Sequence, residues 1–231
     1  MNKKYIVLSI IIVLALGGIG AIYVKQHKNK NISQNGKILA DKQRNLSPEE
    51  EKIYKDKIIQ GQDYIKALKI TDPKYKTLAT NTYVFLAQQY FGLGQMEMSK
   101  EMYLKALALQ KNSEQALVGL SVTLSDAGEK QESLKYLEQA LNNNQSNPRL
   151  WLQYIEVKET DGAPVKDIED LYQKALDKTA RYTDVLTSDA AFQEKNGNIA
   201  AAISLLQEAK KQYPNDSTYD SEIKRLQAIK K

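Results

Sequence analysis

Few residues in this sequence could carry out chemistry. The chain has no cysteine and one histidine, His27, so disulfides, thiolate catalysis and cysteine–metal sites are excluded, and most zinc sites lack their histidines. Carboxylate runs at Glu49–Glu51 and Lys166–Asp170 stand at expected helix starts or exposed faces, where solvated acids suit the helix dipole. The glycines of Phe91–Gly94 precede no Gly-Lys-Ser/Thr triplet, so no phosphate loop is expected. We predict a protein that is not an enzyme, with no catalytic residue, metal site or cofactor.

The charge of the chain is concentrated at its N-terminus. The whole chain carries 33 basic and 28 acidic residues, and its first 46 residues hold eight of the bases and one of the acids. The remaining 25 bases and 27 acids leave the rest of the chain nearly neutral. A nucleic-acid-binding domain is expected to carry its basic patch on the folded part. We therefore predict no nucleic-acid partner.

Residues 1–24 are predicted to form a transmembrane anchor. The 20 residues of Tyr5–Val24 include no charged side chain, and a helix of that length spans about 30 Å, the thickness of a bilayer core. A signal peptide is the alternative, with its apolar centre at Ile6–Leu16 and cleavage after Gly17 or Gly20. The apolar run continues beyond both glycines, which favours a retained single-pass anchor in the cell membrane.

The residues after this segment are polar. Residues 25–46 are rich in Asn and Lys and are predicted to form a flexible tether, because they cannot bury enough apolar surface to offset their chain entropy. The positive-inside rule places the more basic side of a membrane span in the cytoplasm. Basic residues flank the predicted anchor almost equally on its two sides, so this rule barely decides its orientation. The short basic leader before a long apolar run favours an N-terminus inside the cell and a folded part outside the cytoplasm.

A repeat of about 34 residues runs through the rest of the chain. Four series of residues recur with one extra residue in the same place, between Gly162 and Ile168. Two of these series are Gly94, Gly128, Gly162, Gly197 and Ala106, Ala140, Ala175, Ala209. The unit is a helix that ends at a glycine, followed by a second helix, and small residues let the two approach closely. Such hairpins must stack on their neighbours to bury their apolar faces.

This pattern resembles the tetratricopeptide repeat (TPR) family. The first unit carries the resemblance at Ala87, Tyr90, Gly94, Ser99, Tyr103 and Ala106. The sequence departs from the family pattern at Ile155, where a small residue is usual, and has a closing proline, Pro214, in the fourth unit alone. The resemblance implies an all-α fold, a TPR-type α-solenoid of helix hairpins. The single transmembrane helix predicted from the apolar run precedes it. The repeats are expected at about 80–113, 114–147, 148–182 and 183–216.

Flanking helices complete the predicted solenoid, residues 47–231. The sequence Ser47–Glu50 reads as a capping box with proline at the first helical position. At the other end, residues 217–231 place Tyr219, Ile223 and Leu226 on one apolar stripe, which is typical of a capping helix with a polar outer face.

The resemblance implies that a peptide or protein partner binds the concave face, which the first helix of each unit lines. Some members of the family clamp a partner's terminal carboxylate there, but Val84 and Gln88 occupy the positions of that clamp in the first unit, so an apolar peptide surface is expected instead. The candidate groove residues are Val84, Gln88, Phe91, Val118, Val122, Ser125, Leu152, Glu156, Thr187 and Glu194. The alternative for each of these side chains is packing between units.

The sequence therefore predicts a membrane-tethered scaffold for protein–protein interaction in a bacterial-type cell envelope. Its partner is a protein or peptide of unknown identity, and residues 5–24 supply the membrane contact. The alternative function is a structural spacer or self-assembling element of a membrane complex, with no dedicated peptide ligand.

Overall fold

Apolar residues at helical spacing, interrupted by Gly, Pro and Asn, produce a succession of helices in the computed structural model, which describes residues 38–229. Residues 41–229 belong to one compact unit. The helices are α1 (Pro48–Ala67), α2 (Lys76–Gly92), α3 (Met96–Leu109), α4 (Glu114–Asp126), α5 (Lys130–Asn143), α6 (Pro148–Thr160), α7 (Val165–Lys178), α8 (Thr183–Lys195), α9 (Ile199–Gln212) and α10 (Ser217–Ile229), with a short 3-10 helix at Pro73–Tyr75 before α2.

Consecutive helices form four hairpins. Helix α2 packs on α3, α4 on α5, α6 on α7 and α8 on α9, and each hairpin also packs on the next one through its second helix. The alanines of the repeat lie where the helices meet, and Ala106, Ala140, Ala175 and Ala209 are fully buried. A continuous core runs from Leu117 in α4 to Ala209 in α9. The predicted all-α solenoid of helix hairpins is confirmed.

The third hairpin is less closely packed than the other three. Helices α6 and α7 approach each other at fewer places along their length than the helices of the other hairpins do. Ile155 in α6 and Ile168 in α7 are both 1% exposed and belong to one core cluster. The other hairpins have alanine or serine at both of these repeat positions. Two isoleucines need more room than two small side chains, and this holds the helices apart.

Helices α1 and α10 cover the two ends of the repeat array. Ser47 and Glu50 form the predicted capping box at the start of α1, with the Ser47 amide donating to Glu50 Oε2 at 2.8 Å. Helix α1 packs on α2, where Leu86 lies against Gly61. At the other end α10 packs on α9, and the buried Leu226 of the predicted apolar stripe shares a core cluster with Leu206.

The N-terminal predictions fall largely outside the described residues. The predicted anchor, residues 1–24, is not among the described residues. The same holds for residues 25–37 of the predicted linker and for the last two residues of the predicted cap. Among residues 38–229, no helix is both long and apolar enough to cross a bilayer. The end of the predicted linker differs from a flexible tether, because residues 42–44 contact the solenoid through hydrogen bonds and ion pairs.

Candidate peptide-binding groove

The first helices of the repeats do not stack evenly. Helix α2 contacts α4 and helix α6 contacts α8, but α4 and α6 do not approach each other as closely. A cavity of about 480 Å³ lies where these two helices diverge. Its lining comes from α4 and α6 on the sides, α5 between them, Phe91 of α2 and Arg44 of the preceding segment. This cavity is the candidate site for a partner.

The walls of the cavity combine polar and apolar side chains. Helix α4 contributes Ser121, Val122, Ser125 and Asp126, α6 contributes Gln153, Glu156, Val157 and Thr160, and α5 contributes Lys130, Ser133 and Leu137. Ser133 is fully buried, and its hydroxyl has no hydrogen-bond partner among residues 38–229. The Lys130 ammonium donates to the Thr160 carbonyl and joins the start of α5 to the end of α6.

The segment Lys42–Arg44 lies on the side of the cavity that Phe91 and Asp126 form. The Lys42 amide donates to the Gly94 carbonyl at 2.8 Å. The Arg44 guanidinium lies 4.8 Å from the centroid of the Phe91 ring and places Nη2 2.7 Å from Asp126 Oδ2. The Lys42 ammonium forms a second ion pair with the same carboxylate. One acidic side chain at the end of α4 thus holds two cations from a distant part of the chain.

The pKa of Asp126 reflects this arrangement. Partial burial raises the pKa of the carboxyl group, but the hydrogen bonds and the positive charges of Lys42 and Arg44 outweigh that effect. The net result is a pKa below the usual value, so Asp126 is ionised at neutral pH. Among residues 38–229, no group of three or more histidine or acidic side chains is arranged to hold a metal ion.

Four of the ten groove residues predicted from the sequence line this cavity: Phe91, Val122, Ser125 and Glu156. Gln88 is exposed on α2 outside it. Val118 and Leu152 are partly buried and pack against the main core, as expected for side chains between units. Whether any of these residues contacts a ligand stays a prediction.

The other three predicted groove residues are already engaged within the chain. Val84 is 4% exposed, so its assignment to the groove is wrong, since a buried side chain offers no surface to a partner. The Thr187 hydroxyl donates to the Thr183 carbonyl at 3.1 Å, within α8. The Glu194 carboxylate accepts two hydrogen bonds from Arg225 of α10, so it fastens the capping helix instead of facing a free groove.

Sequence reasoning missed the charged part of the site. Arg44 stands in a polar stretch that is predicted to be a tether, and nothing in the sequence distinguishes Asp126 from other acidic residues near helix ends. An Arg and an Asp separated by 82 positions give no local signal that they pair. The repeat register gave one indication, because it predicts a turn at Gly94. The carbonyl of Gly94 accepts the hydrogen bond from the Lys42 amide.

Comparisons with known proteins agree with this architecture. The family model described as "Tetratricopeptide repeat" matches residues 80–113. The mouse (Mus musculus) protein "Interferon-induced protein with tetratricopeptide repeats 3" is 31% identical over 137 residues, which is 54% of this chain and 31% of the mouse protein. The chain therefore spans about a third of the length of that relative.

Solved structures show the same fold. The crystal structure of MamA has a TM-score of 0.56 at 18% identity, with 76% of this chain and 100% of that chain covered. A tetratricopeptide repeat protein from Parabacteroides merdae has a TM-score of 0.53 at 14% identity, with 76% of this chain and 72% of that chain covered. At such identities the likeness concerns the fold alone. Residues 80–113 are thus a tetratricopeptide repeat, and the helix hairpins around them form an α-solenoid of the TPR type.

Proposed function

We propose that this protein is a membrane-tethered TPR scaffold without enzymatic activity that holds a protein partner in the cavity between α4 and α6. The observation that carries the proposal is the cavity itself, which opens among the first helices of the repeats and has room for several side chains. Its mixture of an aromatic ring, aliphatic side chains and ionised groups suits a peptide segment, because apolar contacts provide affinity and a few polar groups fix orientation.

Site-specific photo-cross-linking in intact cells tests this function. A photoreactive residue at Glu156, which is exposed and lines the cavity, should give a discrete adduct with another protein. The matched control is the same residue at Gln173, which is exposed on α7 outside the cavity. Adducts of equal intensity at both positions, or none at Glu156, would contradict binding in the cavity.

A second candidate function is self-assembly, and two exposed aromatic side chains on α1 and α2 favour it. Tyr64 of α1 is 47% exposed and Phe85 of α2 is 37% exposed, and both line one shallow depression. Apolar side chains grouped on a surface mark contact sites for other chains. Cross-links from Tyr64 that give only adducts of twice the chain mass would support this alternative.

The membrane location is part of the proposal and comes from the sequence. The uncharged run at residues 5–24 is long enough to span a bilayer as a helix. We propose a single-pass anchor in a bacterial-type cell envelope with the repeats outside the cytoplasm. Retention of the intact chain in membranes after alkaline extraction supports the anchor, whereas a shortened and extractable chain supports the signal-peptide alternative.

The orientation has its own test. Protease added to intact cells, with any wall removed, should digest the repeats if they lie outside the cytoplasm. Full protection until the membrane is permeabilised would place the repeats inside. In that case the basic residues between Lys25 and Arg44 would face anionic lipid headgroups, which attract such segments.

A further inference from the structure

The segment that precedes α1 contacts the solenoid as a bound peptide would. Residues 41–46 form no helix or strand, and the Lys42 amide donates to the carbonyl of Gly94. The side chains of Lys42 and Arg44 then reach the end of α4, where Asp126 binds both. Peptide recognition combines main-chain hydrogen bonds, which provide affinity, with subsites for side chains, which provide specificity, and this segment makes both kinds of contact.

The subsite is suited to an arginine in particular. The guanidinium of Arg44 stacks on the Phe91 ring at 4.8 Å while its Nη2 donates to Asp126 at 2.7 Å. A planar, delocalised cation can make both contacts at once, and a lysine ammonium cannot match that geometry. Arg44 Nη2 also lies 3.5 Å from the carbonyl oxygen of Phe91. None of these contacts requires the arginine to belong to the same chain.

The segment is held by contacts that a competitor could replace. The side chain of Lys42 is 47% exposed and those of Arg44 and Asp126 are 25% and 23% exposed, so both ion pairs are accessible to solvent. Solvent-exposed ion pairs contribute little to stability. Every side chain from Asp41 to Leu46 is at least partly exposed.

The cavity extends beyond the part that the segment covers. On the far side α6 presents Glu156, which is exposed, together with Gln153. A peptide that enters at the Asp126 subsite can therefore continue along α6 and meet a second acidic group, Glu156.

We propose that Lys42–Arg44 is an internal ligand, and that Asp126, Phe91 and the Gly94 carbonyl form the subsite for an arginine-containing, basic, extended segment of the partner. This inference rests on the proposed function and names the chemistry of its partner. The internal segment occupies the subsite when the partner is absent, and binding of the partner displaces it. Because it is linked to the solenoid, the segment competes at a high effective concentration, which sets a threshold for partner binding.

An NMR titration of the full chain in detergent micelles tests this inference. The probe is a synthetic peptide with the sequence of residues 41–46, DKQRNL. In the Lys42→Ala/Arg44→Ala variant the internal segment loses the two side chains that bind Asp126 and Phe91, so the peptide should bind about tenfold or more tightly than it binds the unmodified chain. The amide resonance of Gly94 should shift on titration, while that of Gly128, in the corresponding turn of the next repeat, should stay in place.

Two controls make the titration specific. Adding Asp126→Asn to the double variant should abolish saturable binding, and the peptide DKQANL should not bind. In the unmodified chain, an excess of DKQRNL should move the Arg44 side-chain resonance as the internal segment leaves, and this measurement does not depend on the folding of any variant. Equal affinity with and without the internal ligand, binding that survives Asp126→Asn, or an Arg44 resonance that never moves would each overturn the inference.

The titration and the cross-linking experiment test different claims, so a negative result in one can be distinguished from a negative result in the other. A cross-link at position 156 with no peptide binding would overturn the internal ligand and leave the scaffold function standing. Peptide binding with no cross-link in cells would overturn the scaffold function, and with it the partner half of this inference.

Discussion

Gly94 and Lys42 meet through their backbones. The Lys42 amide donates to the Gly94 carbonyl at 2.8 Å, and the Lys42 carbonyl oxygen lies 1.8 Å from where a β-carbon on residue 94 would stand. Gly94 also has a φ of +77°, in the left-handed region that side chains disfavour. Gly128 has a φ of +85° in the next repeat, but a β-carbon there would meet nothing within 4 Å.

Substitution of these two glycines should separate the effect of backbone strain, which both positions share, from the effect of the contact with Lys42, which Gly94 alone makes. Gly128→Ala should lower the free energy of unfolding by about 1–2 kcal/mol, the cost of a left-handed alanine. Gly94→Ala should cost more and should also detach residues 42–44, since backbone atoms cannot yield to the new methyl group. Limited trypsin digestion of the folded chain should therefore cleave after Arg44 faster in Gly94→Ala than in Gly128→Ala. Equal cleavage rates would contradict the observed contact.

A double-mutant cycle tests why the third hairpin is loose. Ile155→Ala and Ile168→Ala should each lower the free energy of unfolding by about 2–5 kcal/mol, the usual cost of truncating a buried isoleucine. The double variant restores the small pair found in the other hairpins, so α6 and α7 can close the gap. Its loss should be smaller than the sum of the two single losses by at least about 0.5 kcal/mol. Additive losses in urea denaturation would show that the isoleucines do not hold the helices apart.

Asp189 should make stability depend on pH. Its side chain is fully buried in α8, where Oδ1 accepts from Gln193 and Oδ2 has no partner among residues 38–229. Burial has the largest effect and raises the pKa of this carboxyl group. The Gln193 hydrogen bond and the Arg181 charge lower the pKa, the Glu169 charge raises it, and the net shift is upward. The unfolded chain thus loses this proton at a lower pH than the folded chain does. Stability is lost as pH rises from about 4, the ordinary pKa of Asp, through the folded value.

Asp189→Asn should remove the loss of stability that occurs as pH rises, while an amide oxygen remains to accept the hydrogen bond from Gln193. At neutral pH it should raise the free energy of unfolding by about 1–3 kcal/mol, because a neutral amide costs less to bury than a carboxylate does, although its nitrogen takes the place of the unpartnered Oδ2. Denaturation between pH 4 and pH 8 should then show a flatter pH profile than the unmodified chain. Asp126→Asn provides the opposite control, because the pKa of Asp126 is lowered in the folded chain and its contribution is lost as pH falls. An unchanged profile in Asp189→Asn would contradict the burial of a charge there.

Lys100 is a second buried polar group whose replacement should stabilise the fold. Only 2% of this α3 residue is exposed, and its ammonium nitrogen has no hydrogen-bond partner in the described chain. The corresponding position of the second repeat holds Leu134, which is 3% exposed. Lys100→Leu should raise the free energy of unfolding by about 1–3 kcal/mol, since an unpaired buried group is removed. Leu134→Lys should have the opposite effect in the same thermal melts.

The repeat register could be predicted because its causes are local. Helix spacing of apolar residues, a glycine at each turn, small residues at the close approaches and the capping box at Ser47 are all properties of short stretches of sequence. Ile155 could likewise be singled out, because it breaks a register that its neighbours keep. Four of the predicted groove residues then follow from knowing which helix of each unit is the first.

The detailed shape of the site depended on tertiary structure. Glu194 occupies the same repeat position as the cavity residues Phe91 and Ser125, but its carboxylate binds Arg225 of the capping helix. Val84 also stands on the first helix of its unit, but its side chain is buried. Pairing Arg44 with Asp126 required the end of a polar segment to lie against the turn at Gly94. Sequence periodicity determines which face of a helix is apolar. The distance between neighbouring helices, and hence where a cavity opens, depends on side chains packed from several helices at once.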